Sequence, residues 1–486
     1  MDLCDDACDE GGLSRRGLLG GAAALGVLGL AGGTATPAAA EGRHGGLPRR
    51  GEFVVRGAYV MSMDPQVGDV ADGDVHVRDG RIVAVGQQLP ARGPRIDGRG
   101  TIVLPGLVET HWHMWTNLYR SLASSSPANA YFGLNVRNGR AVLPSDIYAG
   151  VRLALADAVH SGITTVNDWS HNIRGPQYAD ANLQAHVDSG LRARFSYGAP
   201  QGHPADQTID LADLARVKRQ WFDARRDGLL HLGLAGRPPG VASLEVARTE
   251  YDAARALGLP VSYHANSNRA QGALAIVAQL GAEGMLGPQT QVIHALFTTA
   301  AERDLLRTTG TSVSISPWSE LLIGYGVTPV KELLDAGVLL NLSVDTTPLT
   351  GTADLFSVIR LALALHRGQS ESEFSLSARR MLEAATIDGA RGLGIDDVTG
   401  SLTPGKRADL IMVRTDEVNI APFTNAANMV ATAAAPDNVD TVVVDGRILK
   451  RGGSLTSTDP AALVRSAQQS LDALLARAGT AKDNPV

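Results

Sequence analysis

The sequence predicts a parallel (β/α)8 barrel of the TIM type, joined to a small β-sandwich domain that both ends of the chain form together. Two observations favour this fold. Short apolar strands alternate with amphipathic helices between residues 107 and 396, and β-rich stretches flank this region at 41–106 and 397–460. A chain of 486 residues, 44% of them hydrophobic, is long enough to bury such a core.

The two flanking stretches share an alternating β pattern. EFVVRGAYVM and GDVHVRDGRIVAVG, within residues 52–106, contain Asp-Gly turns that favour hairpins. The same pattern returns within 408–453, in RADLIMVRT and DTVVVDGRILKRGG. We therefore expect one β domain that the barrel interrupts, followed by a helical tail at 461–486.

Eight strand-like runs are expected to form the barrel, and the reactive groups of such barrels lie at the C-terminal ends of the strands. The runs are LVETH at 107–111, GITTV at 162–166, LRARFSYG at 191–198, LLHLGLAG at 229–236, VSYHAN at 261–266, QVIHALF at 291–297, TSVSISP at 311–317 and LLNLSVDTT at 339–347. The helical patterns between them cover 145–160, 177–189, 210–227, 243–258, a helix capped by Thr298 or Thr299, and 328–336.

Polar side chains interrupt the apolar strands at these C-terminal ends. His111 and His113 close the first strand, and residues i and i+2 of a strand share a face, so both imidazoles can bind one metal ion. His264, His294 and Asp345 end the fifth, sixth and eighth strands. Such nitrogen and oxygen donors suit zinc or ferrous iron and leave a position open for water.

These motifs resemble the amidohydrolase superfamily, and GSLTPGKRADLIMV, near the end of the chain, resembles its deaminase and chlorohydrolase branch. The similarity extends over about residues 50 to 455. The resemblance implies that the split β domain flanks the barrel. It also implies that the metal ligands are His111, His113, His264 and Asp345, and that His294 contacts the substrate or the attacking water.

Lysine usage favours a single metal ion. Two-metal relatives often bridge their ions with a carboxylated lysine on the fourth strand, but LLHLGLAGRPPG contains no lysine. Lys218 is the only lysine between His113 and His264, and it lies in the helical run ADLARVKRQWFDARR. We expect one divalent ion, with zinc as the first expectation and iron as the alternative.

One position departs from the family pattern. Deaminases of this branch usually carry H-x-x-E at the fifth strand, but Ser267 stands where that proton-transferring glutamate would be. Either Glu320 on the loop after strand seven substitutes for it, or Asp345 alone relays the proton. We favour the Asp345 relay, in which Glu320→Gln is nearly silent. Glu109, before HWH, also replaces a more usual aspartate.

Tryptophans are concentrated near the predicted strand ends. Trp112 and Trp115 flank His113, Trp169 follows strand two, and Trp318 follows strand seven. Together with His171 they predict a pocket for a flat or apolar molecule, and the alternative is ordinary loop packing.

The predicted activity is metal-assisted hydrolysis. Asp345 accepts a proton from water while His294 holds an electrophilic carbon, and the broken bond is the C–N bond of an amide, a cyclic amide or an aminated heterocycle. A metal-dependent lyase or dehalogenase on the same scaffold is the alternative. A metal-binding protein without catalysis is the third hypothesis.

Composition limits the partners. The net charge is −6 and no long basic run occurs, so the chain has no feature of a nucleic-acid-binding protein, and the mature chain none of a membrane-surface protein. A small-molecule substrate fits this balance, and a homodimer is the further partner expectation.

The first forty residues resemble a twin-arginine export signal. Arg15 and Arg16 precede a mild Gly/Ala/Leu run, and an A-x-A site ends at Ala40. An uncleaved anchor is the alternative. We expect the twin-arginine machinery to export the folded, metal-loaded protein to the periplasm or the exterior. Cys4 and Cys8 precede the cleavage site, so the mature chain would have no disulfide.

Overall fold

A computed structural model describes residues 47–224 and 228–481, so the predicted export signal lies outside the described residues. The first strands of the chain form part of a mixed sheet. They are β1 (Phe53–Met61), β2 (Asp69–Arg78), β3 (Arg81–Gly86), β4 (Arg95–Asp97) and β5 (Thr101–Pro105). Their inward positions, such as Val55, Val60, Val75 and Val103, form an apolar core, as the alternating pattern predicts.

The next eight strands are hydrogen-bonded in consecutive order and run parallel. They are β6 (Leu107–Trp112), β7 (Ile163–Ser170), β8 (Arg192–Gly198), β9 (Leu230–Gly236), β10 (Val261–Ala265), β11 (Thr290–His294), β12 (Ser312–Ile315) and β13 (Leu340–Leu342). Most of their residues are buried, as expected for parallel strands covered by helices. The predicted (β/α)8 barrel is confirmed.

The last strands complete the terminal sheet. They are β14 (Leu410–Arg414), β15 (Val439–Val444), β16 (Arg447–Arg451) and β17 (Ser454–Leu455). β14 pairs antiparallel with β5 along Thr101–Pro105, so one nine-stranded sheet contains strands from both stretches that flank the barrel. This confirms the split β domain and places its junction with the barrel directly before β6.

Helices cover the barrel and connect its strands. Within the described residues they are α1 (Tyr131–Ala141), α2 (Pro144–His160), α3 (Pro176–Ser189), α4 (Leu211–Val217), α5 (Leu244–Ala256), α6 (Arg269–Ala273), α7 (Ile276–Ala282), α8 (Ala300–Thr309), α9 (Pro317–Leu322), α10 (Val330–Asp335), α11 (Thr347–Thr350), α12 (Leu355–Gln369), α13 (Ala378–Ala384), α14 (Ile387–Gly392), α15 (Ala426–Thr432) and α16 (Pro460–Ala478). Across the described ranges, no helix combines the length and apolarity needed to cross a bilayer.

Two predicted helices are corrected in detail. The α8 cap is Thr299 and not Thr298, because Thr299 Oγ1 accepts the Glu302 backbone N–H at 3.2 Å while Glu302 Oε2 accepts the Thr299 N–H at 2.9 Å. The described part of the run predicted as one helix at 210–227 contains α4, followed by a π-helical turn, Lys218–Asp223. Lys218 therefore lies on a helical turn rather than on a strand, as predicted.

The barrel closes between β6 and the segment after β13. The His113 N–H donates to the Asp345 carbonyl at 2.7 Å, and the Asp345 N–H donates to the His111 carbonyl at 3.0 Å. The buried carboxylate of Glu109 joins the same edges, since its two oxygens accept the His111 and Val344 N–H groups, each at 2.8 Å. The backbone groups of three predicted metal-binding residues, His111, His113 and Asp345, therefore form the hydrogen bonds that close the barrel.

We expect Glu109→Gln to destabilise the protein by about 1–3 kcal/mol, because an amide NH2 would face one of the two N–H groups and leave it buried without an acceptor. Chemical denaturation of the variant, beside the exposed-loop control Glu373→Gln, measures the effect. Equal stability of Glu109→Gln and the wild type would show that the carboxylate does not hold the seam.

Candidate metal centre and active site

Four histidines and one aspartate converge at the C-terminal end of the barrel. His111 Nε2 and His113 Nε2 lie 3.2 and 3.3 Å from Asp345 Oδ1, and His264 Nε2 lies 3.2 Å from His111 Nε2. His294 joins His111 and His264 in a second group whose donor atoms all lie within 4.8 Å of one another. His111 belongs to both groups, so the structure brings together every predicted ligand.

The backbone of this cluster is strained. His294 has a φ of 75° and Asp345 a φ of 63°, in the left-handed region that residues other than glycine rarely adopt. Such conformations cost roughly 1–3 kcal/mol each and are concentrated at functional sites. The strain is therefore an independent sign that these two strand ends are held for function.

The donor set fits a divalent metal ion. Burial lowers the pKa of His111, His113 and His264 well below the ordinary value, so the rings are neutral, which is the form that binds metals. The Nδ1 of His113 lies 3.1 Å from the Trp169 carbonyl oxygen, which can only accept, so Nδ1 carries the proton and Nε2 presents its lone pair to the cluster. A cation would explain why two neutral Nε2 atoms approach within 3.2 Å.

His294 is held from behind by Glu320. Its Nδ1 lies 3.0 Å from Glu320 Oε1, and Glu320 is fully buried, where it accepts the Ser316 N–H at 2.9 Å and the Thr328 hydroxyl. Burial lowers the pKa of His294, but the hydrogen bond to Glu320 and the charge of Asp345 outweigh burial and raise that pKa above its ordinary value. Glu320 thus fixes the ring's orientation and favours its protonated form.

The two oxygens of Asp345 have different surroundings. Oδ1 faces His111 and His113, whereas Oδ2 accepts the Ser319 hydroxyl at 2.6 Å. The side chain is nearly buried but borders the cavity described next. It can therefore contact a metal ion and a reacting molecule together.

A cavity of about 250 Å³ opens onto the cluster. Phe132, Val241 and Ile323 give its wall an apolar character, and Trp169 contributes an aromatic face beside His264, with ring centroids 4.2 Å apart. In the part of the chain that the structure describes, Asp345 is the one carboxylate on this wall. Polar side chains form the rest of the wall, so the cavity suits a small ligand that has both apolar and polar groups.

The sequence model of the amidohydrolase family matches residues 102–449, more than half of the chain. The chain belongs to this family. The 5'-deoxyadenosine deaminase of Methanosarcina mazei is 29% identical over 437 residues, which cover 88% of this amidohydrolase and 99% of that protein. The 5-methylthioadenosine/S-adenosylhomocysteine deaminase of Halobacterium salinarum is 32% identical over 423 residues, with coverages of 84% and 96%.

A solved structure is also similar. An adenosine deaminase from Xanthomonas campestris, crystallised with bound zinc, has a TM-score of 0.79 and 26% identity, covering 88% of this amidohydrolase and 100% of that chain. These similarities confirm the predicted resemblance to the deaminase and chlorohydrolase branch. The protein is a metal-dependent hydrolase of carbon–nitrogen bonds other than peptide bonds.

Three of the predicted pocket residues line the cavity: Trp169, His171 and Ser267. Trp115 lies behind them and donates its indole N–H to His171 Nδ1 at 3.2 Å, which positions the imidazole. Burial lowers the pKa of His171 to about 4, so this ring is neutral. Ser267 occupies the place of the usual glutamate, and its hydroxyl has no hydrogen-bond partner among the described residues.

Three others do not line the cavity: Trp112, Trp318 and Glu320. Side chains alternate along a strand, so Trp112, between His111 and His113, is turned away from the cluster into the apolar core. The helix α9 begins at Pro317 and directs Trp318 to a separate surface cavity beside Leu322.

A loop that the sequence did not single out forms another part of the wall. Gln201 and His203 lie on this loop, residues 199–209, which follows β8. Arg237 fixes the loop, because its guanidinium donates to the Pro204 and Gln207 carbonyls and pairs with the buried carboxylate of Glu250. Arg237 directly follows β9, so the strand-end rule could have identified it.

We expect Arg237→Met to raise KM by about tenfold with a smaller change in kcat, because the loop loses its anchor while the metal ligands are untouched. Steady-state kinetics measures the split. Arg192→Met is the matched control, since it also breaks a buried ion pair, with Asp409 at 2.7 Å, but away from the cavity. An equal rise in KM in both variants would attribute the effect to general destabilisation.

Proposed function

We propose that this amidohydrolase uses one zinc ion, held by His111, His113, His264 and Asp345, to hydrolyse a C–N bond of a small aromatic heterocycle. The proposal rests on the convergence of these donors on a small cavity whose wall has both apolar and polar side chains. The deaminases of nucleoside-like molecules among its relatives, and the zinc in a similar structure, support the substrate class and the metal.

Different side chains perform the separate steps of this reaction. A divalent ion at this centre would act as a Lewis acid and lower the pKa of water toward ~7. Asp345 accepts the proton of the attacking water, and the Ser319 hydroxyl holds its second oxygen in place. His294, oriented by Glu320, donates a hydrogen bond to the electrophilic group of the substrate, while Trp169 offers a face on which a flat ring can stack.

The leaving nitrogen also needs a proton. A serine hydroxyl cannot transfer protons as a carboxylate does near neutral pH, so Ser267 does not replace the missing glutamate. Asp345 is the carboxylate on the described wall, and we therefore assign it the relay of the proton from water to the leaving group.

Hydrolytic dehalogenation is the second candidate, and Ser267 is the observation that favours it. A halide departs without protonation, so the reaction does not require the missing acid. Paired substrates that differ only in the leaving group, such as 6-aminopurine and 6-chloropurine ribosides, separate the two activities.

The decisive experiment incubates zinc-loaded protein with a panel of aminated heterocycles, cyclic amides and secondary amides, and identifies the products by mass. We expect hydrolysis of a C–N bond, loss of activity on metal removal, and faster deamination by Ser267→Glu. Halide release without any C–N cleavage would replace the proposal by dehalogenation, and an eliminated rather than a hydrated product would replace it by a lyase.

We also propose export by the twin-arginine route, which rests on Arg15, Arg16 and the A-x-A site. Replacing both arginines with lysine is expected to retain the precursor in the cytoplasm, and the exported form is expected to begin near Glu41. N-terminal sequencing and fractionation measure both outcomes. Unchanged secretion of the double-lysine variant would show that another route is used.

A further inference from the structure

A second cavity lies at the opposite end of the barrel from the metal centre. Its volume is about 420 Å³, and it is lined by the first residues of β9, by Leu259 and Pro260 directly before β10, and by Gln289 directly before β11. The loop after α14, residues 392–395, forms another side. The cavity therefore shares no wall residue with the site described above.

Arg194 on β8 is the unusual residue of this cavity. Three arginines of the described chain are buried: Arg192, Arg194 and Arg237. Arg192 pairs with the buried carboxylate of Asp409, and Arg237 pairs with that of Glu250. Arg194 is only 8% exposed and has no carboxylate partner within the described ranges.

The remaining contacts of Arg194 do not balance its charge. Its Nη2 donates to the Leu393 carbonyl oxygen after α14, and its Nε has no hydrogen-bond partner in the described residues. Burial alone lowers the pKa of this guanidinium to about 10, so it remains charged near neutral pH. An unpaired buried charge is costly, and the other two buried arginines show how this fold avoids that cost.

The surrounding wall is complementary to an anion. Lys218 lies on it, and Asp223, the one carboxylate among the described lining residues, already accepts the Lys218 ammonium at 2.7 Å. Phe222 and Leu257 add apolar surface. A ligand that brings a negative oxygen to Arg194 would therefore meet no unpaired carboxylate and could bury a short carbon chain.

We propose that this cavity binds a small oxyanion, a carboxylate or a phosphate, with Arg194 as its principal contact. The planar guanidinium fork matches both groups, and charge-assisted hydrogen bonds are about twice as strong as neutral ones. The site is independent of the hydrolytic activity, because it uses neither the metal ligands nor their neighbours.

Calorimetric titration of zinc-loaded protein with succinate and, separately, with inorganic phosphate tests the proposal and distinguishes the two sources. We expect saturable binding of one anion per chain to at least one probe. Arg194→Met is expected to weaken this binding by about tenfold to a hundredfold, the loss of one charge-assisted hydrogen bond. The exposed-site variant Arg307→Gln should bind as the wild type does.

Two further measurements keep the result interpretable. Arg194→Met should melt at a higher temperature than the wild type in anion-poor buffer, because it removes an unpaired buried charge. Lys218→Met, at a partly exposed position, should also weaken binding. It provides the test if Arg194→Met fails to fold. Three results would each overturn the proposal. The first is the absence of saturable binding to both probes, and the second is undiminished binding in the folded cavity variants. The third is binding that disappears in His264→Ala, because such binding belongs to the metal centre.

Discussion

Asp345→Asn is expected to abolish measurable turnover and to weaken metal binding. The variant loses an anionic ligand and the group assigned to accept and relay the proton, and loss of a positioned acid or base alone costs about 10²–10⁴ in rate. His264→Ala is expected to lose activity because it removes one of the nitrogen donors of the cluster. Steady-state rates together with metal content per chain measure both effects.

Asp304→Asn is the matched control, because this carboxylate is exposed on α8 and pairs only with a neighbouring arginine. It should retain wild-type rate and metal content. Substantial turnover by zinc-loaded Asp345→Asn would contradict the relay, whatever the effect on metal affinity.

Glu320→Gln is expected to lower turnover by about 10- to 100-fold while metal content stays near that of the wild type. A loss of turnover of this size is usual when a group that orients a residue of a metal site is removed. The carboxylate contacts His294 and not the cavity, so its removal disturbs the ring's orientation and protonation rather than a direct proton transfer. Rate and metal analysis, with Glu373→Gln as an exposed control, measure the effect.

This expectation replaces the one drawn from the sequence, in which Glu320→Gln has almost no effect on turnover. A loss of about 10⁴ would make Glu320 a direct acid, and no loss would show that His294 needs no orienting carboxylate. The Asp345 relay is compatible with the intermediate value, because Glu320 then acts only through His294.

The barrel could be predicted because its evidence is local. Each strand is a short apolar run, and parallel strands bring their C-terminal ends to one face whatever the loops between them do. His111 and His264 lie near the ends of β6 and β10, and Asp345 follows β13, so this rule alone places them together. The split sheet could be predicted for the same reason, since its alternating pattern appears in both stretches that flank the barrel.

The rest depends on contacts between distant segments. Glu320 and His294 are 26 residues apart, and nothing in either local pattern shows that α9 turns Glu320 toward the ring and Trp318 away from it. The loop at 199–209 was missed because its place on the wall depends on Arg237 and Glu250, which come from β9 and α5. Arg194 looked like any strand residue until its lack of a carboxylate partner could be seen.

The most direct test of the account is the number of metal ions per active chain. Mature protein is freed of metal, titrated with zinc, and assayed for bound ions by mass spectrometry and for turnover at each point. We expect activity to rise linearly and to reach its plateau at one ion per chain, because the two donor groups of the described centre share His111 and no lysine on the described wall could bridge a second ion. A plateau at two tightly bound ions, or full turnover without metal, would contradict the account.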